Sequence, residues 1–211
     1  AEVKEAVKSA VNEIKKQHKL ESKNYYTEQK KICTEILGGE RLTADTTEYP
    51  FLLATEYIAS ELRLYPQDPS ADVEYDENSL SSFLEEILAS LIKIRLPEVY
   101  ESNEILLRKY CLFTVKDLNH IVILFNMDKD LQKEKIYHIT EKLRMELLQK
   151  LPQLRRVFAG MGRPARDILG LKDSAVQAKA ARRKCFLGGV IYDAKLPETG
   201  RYNFSGNLPK E

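Results

Sequence analysis

The sequence is short of cysteine, of glycine and proline, of net charge and of long apolar runs, and each shortage excludes something. Cys occurs three times, at 33, 111 and 185. The three are far apart and odd in number, so they form neither a disulfide framework nor a CxxC metal spacing. Free thiols in a reducing cytoplasm are expected, at least two of them buried. Gly (9) and Pro (8) together fall below the about 25 that average usage would put in 211 residues. Most of the chain is therefore regular structure, and a disordered, collagen-like or low-complexity class is out. Lys and Arg number 33 against 32 Asp and Glu, a formal charge of +1. That leaves no basic field of the kind that coating nucleic acid needs. No window reaches the ~18 uninterrupted apolar residues of a membrane span. Residues 1–31 are charged throughout, without the charged-then-apolar order of a signal peptide. There is no initiator Met, so an excised fragment is expected, with part of the function carried by its neighbours in a parent chain.

What is present is enough for one or two domains; a chain of this size hides about 70% of its unfolded surface. Residues 2–37 read as one long helix. Val3, Val7, Ala10, Val11 and Ile14 fall at three- and four-residue steps, as do Tyr25, Ile32 and Ile36. Gly38-Gly39 stops it. Its seam is narrow and interrupted, which fits either a dimerising coiled-coil linker or a helix lying on its own domain. Residues 40–50 are a polar loop. From Phe51 to Ile58 the pattern is ambiguous. Phe51, Ala54, Ile58 and Leu62 fit a helix face after Pro50, yet a short apolar run ending in Tyr57-Ile58 also fits a buried strand.

After an acidic loop over 66–79, Ser79 is placed to cap a core helix over 80–95, with a further short helix at 101–109. Strands follow at 111–115 and 120–125, joined by Lys116-Asp117-Leu118-Asn119 as a hairpin. Asp128 or Asp130 opens a helix over roughly 131–151, 154–161 is a strand, and Asp173 or Ser174 starts a helix rich in alanine. A last short strand is Val190-Ile191-Tyr192, and 195–211 reads as an unpacked tail. The sum is an α+β sandwich, a mixed sheet with helices on its faces, behind a mainly helical first half.

Motifs for chemistry are scarce. His18, His120 and His138 have no second His or Cys at helical spacing, so no metal site is expected. No Ser lies in G-x-S-x-G. Gly160-Met161-Gly162 follows a strand, but it lacks the third glycine of a dinucleotide loop and meets Pro164 instead. Leu196-Pro197-Glu198-Thr199-Gly200 matches a sorting pattern without the apolar span that should follow, so it is a coincidence or an added tag. Arg182-Arg183-Lys184 is a basic cluster at a helix C-terminus, where the helix dipole favours cations. Arg163 and Arg166 make that end locally basic, and phosphate binding is the alternative reading.

Gly160-Met161-Gly162-Arg163-Pro164, followed by Leu171, Ser174, Gln177-Ala178 and Ala181, resembles the GGDEF-like domain of bacterial transcription regulators of the purine-catabolism and sugar-diacid type. A similar domain occurs in some AraC-type response regulators. The resemblance covers roughly 105–193 and implies a GGDEF-like, ferredoxin-like second half. Its first strand would have to come from 51–58. Active relatives of the fold, the diguanylate cyclases, carry Gly-Gly-Asp/Glu-Glu-Phe in the central hairpin. The glycines admit a nucleotide phosphate and the acids hold metal. The matching turn here is Lys116-Asp117-Leu118-Asn119-His120, which has no glycine and one carboxylate. The resemblance therefore implies a degenerate, non-catalytic regulatory domain without a cofactor. It would lie between a sensor and a DNA-binding module outside this chain, with no nucleic-acid or membrane contact of its own.

The divisions expected are a linker or dimerisation helix (1–39), a mainly helical segment that could include the first strand of the sheet domain (40–104), the GGDEF-like domain (105–193) and a tail (194–211). A homodimer would pair through Val3, Val7, Ala10 and Ile14. Two alternatives stand beside this. One is an effector domain in which Arg163, Arg166 and Arg182 hold an anionic metabolite or nucleotide. The other is a nucleotidyl cyclase with an atypical site.

Overall fold

The centre of the molecule is a strand that sequence periodicity disguises. The structure, a computed structural model, describes residues 25–40, 42, 44, 47–68, 77–98, 100–117, 119–185 and, for the backbone, 190–192. Pro50–Leu53 is a single 3-10 turn, and the chain then runs straight as β1, Glu56–Pro66. The helical spacing of Phe51, Ala54, Ile58 and Leu62 is thus a coincidence, and the strand reading holds from Glu56 onward. A strand covered on both faces is apolar at nearly every position, so it contains any period one looks for.

β1 pairs antiparallel with β3 (His120–Met127) on one side and β4 (Leu154–Met161) on the other. β2 (Cys111–Lys116) lies outside β3, and β5 (Val190–Tyr192) runs parallel to β4. The sheet order is β2-β3-β1-β4-β5. The described first half is mainly helical, as expected, and it also supplies the central strand.

Helices cover both faces. α2 (Glu77–Arg95), α3 (Asn103–Tyr110), α4 (Lys133–Lys150) and α5 (Leu171–Arg183) follow in chain order, preceded by α1, helical over 25–38. Neighbouring residues of β1 look opposite ways. Ser60 meets Thr140 of α4 through their hydroxyls, 3.1 Å apart, while Glu61 meets Arg182 of α5. The next residue of β1, Leu62, is fully buried and is paired with Ile121 on one side and Ala159 on the other.

Ends and caps explain several boundaries. Gly39 adopts φ 73° and closes α1, with the Glu40 N–H on the Glu35 carbonyl at 2.9 Å. Ser79 lies inside the first turn of α2 rather than capping it. Neither Asp128 nor Asp130 caps α4, whose N-cap is Gln132. Asp128 Oδ1 instead accepts the N–H groups of Asp130 (2.9 Å) and Leu131 (2.7 Å), tightening the turn before the helix. Cys33, Cys111 and Cys185 are all buried, and none of them is in a disulfide. Among the described residues no helix is long and apolar enough to cross a membrane.

α1 belongs to this core. Tyr25, Tyr26, Gln29, Ile32, Cys33 and Ile36 are buried, so over 25–38 the helix lies on its own domain. Val3, Val7, Ala10 and Ile14, together with His18 and Leu196 to Gly200, lie outside the described residues.

Candidate functional site

The β2–β3 turn sits beside the C-terminal half of β1. Asp117 takes a left-handed φ of 54°, where a non-glycine residue is uncommon. The Asn119 carbonyl accepts the Leu64 N–H at 2.7 Å, which ties the turn to the central strand. Leu118 lies outside the described residues. Lys116 is exposed, whereas His120, the first residue of β3, folds inward with 14% of its side chain exposed.

His120 meets a carboxylate. Its Nε2 stands 3.0 Å from Glu61 Oε1, and Arg182 Nε donates to the same oxygen at 2.8 Å. Glu61 is 3% exposed in the middle of β1. Burial pushes its carboxyl upward, but the neighbouring His120 and Arg182 side chains outweigh burial and hold it below the usual carboxylate range. One buried anion thus joins the hairpin, the central strand and the last turn of α5. Sequence reasoning missed Glu61, although a signal existed. It is a charged residue within the apolar run from Tyr57 to Leu64, and strand alternation places it on a face with Ala59 and Arg63.

The glycine-arginine-proline turn is a packing device. A Cβ at Gly160 would lie 2.3 Å from both the Ala178 carbonyl and the Arg182 nitrogen, and one at Gly162 would lie 2.0 Å from the Ser174 carbonyl. Both glycines are therefore required for α5 to lie directly on β4. Small residues answer them from the helix, with Ser174, Ala178 and Ala181 buried. The Ser174 hydroxyl donates to the Arg163 carbonyl (2.7 Å) and accepts the Ala59 N–H (3.0 Å). The Gln177 side chain accepts the Arg163 N–H at 2.9 Å. Beyond Pro164, Ala165 exchanges two backbone hydrogen bonds with Tyr57, at 2.7 and 2.8 Å.

The three arginines expected to hold an anion are placed as follows. Arg163 and Arg166 are exposed on this turn, against the first half of α5. Arg182 lies eight residues beyond Ser174, about 12 Å along the helix, with its guanidinium on Glu61.

The family model described as GGDEF-like domain matches residues 72–183, more than half of the chain. The chain belongs to the GGDEF-like domain family. No curated protein matches it significantly. The family match starts before α2 and takes in both α2 and α3. β1 lies ahead of the matched span, but it pairs with both β3 and β4, which lie within it. In this GGDEF-like domain the hairpin does not fit a metal-bound triphosphate. Asp117 stands beside Lys116 in sequence, and the buried carboxylate nearest the turn is occupied by Arg182 and His120. Among the described residues no three His, Cys, Asp or Glu side chains lie together in a way that could hold a metal ion.

Proposed function

We propose that this GGDEF-like domain is a non-catalytic regulatory module of a bacterial transcription regulator. It receives a signal from a segment upstream and passes it to a DNA-binding module beyond the residues given. One observation carries the reading: Glu61, the buried acid beside the hairpin, is consumed by internal partners, with Arg182 at 2.8 Å and His120 at 3.0 Å. A carboxylate held by a guanidinium is a poor metal ligand, because binding a cation there first requires breaking the ion pair. The turn supports this further, since it has no glycine to let a backbone approach phosphate and Lys116 opposes a cation.

Incubation of the chain with GTP and Mg²⁺ or Mn²⁺, followed by chromatography, tests the absence of catalysis. Unchanged GTP is the expected result, and any cyclic product overturns the reading. Pairing of two copies through Val3, Val7, Ala10 and Ile14 belongs to the same proposal. Light scattering should then show a dimer that becomes a monomer when residues 1–24 are removed, and an unchanged mass contradicts it.

A further inference from the structure

α1 begins with a dense set of polar contacts. Ile32, Cys33 and Ile36 of α1 join the apolar core that closes the sheet sandwich, but the first part of the helix, residues 25–30, is held by hydroxyls, one guanidinium and one ion pair. The rings of Tyr25 and Tyr49 lie nearly parallel, 6.5 Å apart, and the Arg108 guanidinium of α3 stands 5.1 Å from each ring centroid. Arg108 is itself paired with Glu104 at 2.8 Å. The Tyr26 hydroxyl donates to Glu77 (3.0 Å) and accepts the Val115 N–H (3.2 Å). Lys30 pairs with Glu77, the Tyr49 hydroxyl donates to Glu28 at 2.8 Å, and Lys172 reaches the Gly38 carbonyl at 3.2 Å.

The seam is also imperfectly satisfied. Gln29 is wholly buried, and its Nε2 has no acceptor among the described residues; the buried Arg108 Nε has none either. Buried donors in that state lower the cost of letting water in. Each of these polar bonds can be replaced by a bond to water, whereas the apolar contacts of the sandwich have no such substitute. Local opening should therefore begin here.

What α1 covers is the edge of the sheet. β2 is an outermost strand, and the Val115 N–H points away from β3 to the Tyr26 hydroxyl, with the Tyr26 ring 5.8 Å from Phe113. We propose that α1 is a releasable strap, clamped by Arg108 against Tyr25 and Tyr49, that lifts from the β2 edge as a unit while the sheet stays folded. Lifting frees an edge strand for pairing and connects whatever acts on the chain before residue 25 to the domain. The strap does not depend on the regulatory proposal, since it would operate equally in a catalytic domain.

Cys33 reports the motion. It lies on α1 and is fully buried, and burial pushes its thiol well above the ordinary range, so a docked strap leaves it inert. Cys185, beyond α5, is a second buried thiol away from the strap. Labelling of the full chain with N-ethylmaleimide, resolved by peptide mass, follows both. In Arg108→Met, Cys33 should react about tenfold faster while Cys185 keeps its wild-type rate. Equal acceleration of the two, or no change at Cys33, overturns the strap. Should Arg108→Met fail to fold, Tyr26→Phe, which removes only a hydroxyl, should accelerate Cys33 alone by several-fold, with the same overturning outcomes. In the wild type, Cys33 must react faster than global unfolding allows; a rate equal to global unfolding also contradicts the strap.

Discussion

At Glu61 a single side chain carries both the proposed loss of metal binding and a pH dependence. Its carboxyl is held low in the folded state, against an unfolded value of about 4.3. The stability it contributes is thus complete above that unfolded value and is lost as pH falls through the lower folded one. Glu61→Gln should flatten this acid limb. Urea midpoints measured from pH 7 down to pH 3 should fall less steeply in the variant than in the wild type, and parallel curves would contradict the assignment. Ser174 carries a second local test. Its hydroxyl serves the Ala59 N–H and the Arg163 carbonyl at once, so Ser174→Ala should cost about 1–3 kcal/mol in denaturant unfolding. Gly162→Ala should cost at least as much, because its Cβ would fall 2.0 Å from a backbone carbonyl.

The elements differ in how openly the sequence declares them. β4 was expected at 154–161 and is Leu154–Met161; the last strand was expected at 190–192 and lies there. Both are short runs bounded by Pro and Gly. The hairpin was equally plain, since its apolar strands flank a polar four-residue turn. Within that turn Asp117 sits at φ 54°, where a β-branched side chain is strained. Asp117→Val should destabilise by about 1–2 kcal/mol, and Asp117→Gly should be nearly neutral, as read by thermal midpoint. β1 was hidden for the opposite reason. Burial on both faces erased its alternation, and the one charge within its buried run, Glu61, becomes intelligible only once α5 is seen to place Arg182 against it. The caps misled as well. Ser79 and Asp128 are residues that favour helix starts, but tertiary packing begins α2 earlier and α4 later than their side chains suggest.

For the molecule as a whole, the second half and the family could be read from the chain, because Gly160, Gly162, Ser174, Gln177, Ala178 and Ala181 form one packing motif between β4 and α5. The role of that motif could not be read, because close approach is a property of two elements together. The same holds for α1, whose interrupted seam left two readings open; Tyr25 and Tyr26 bury themselves against residues at positions 77, 108, 113 and 115. On the proposed regulatory reading, Glu61 is spent on Arg182 and His120 and the hairpin does not grip a metal-bound triphosphate. Titration of the chain with Mn²⁺ in the presence of GTP, followed by electron paramagnetic resonance, measures this directly. The manganese spectrum should remain that of the ion in protein-free GTP solution at every protein concentration. Stoichiometric loss of that signal, reversed in Asp117→Asn or Glu61→Gln, would contradict it.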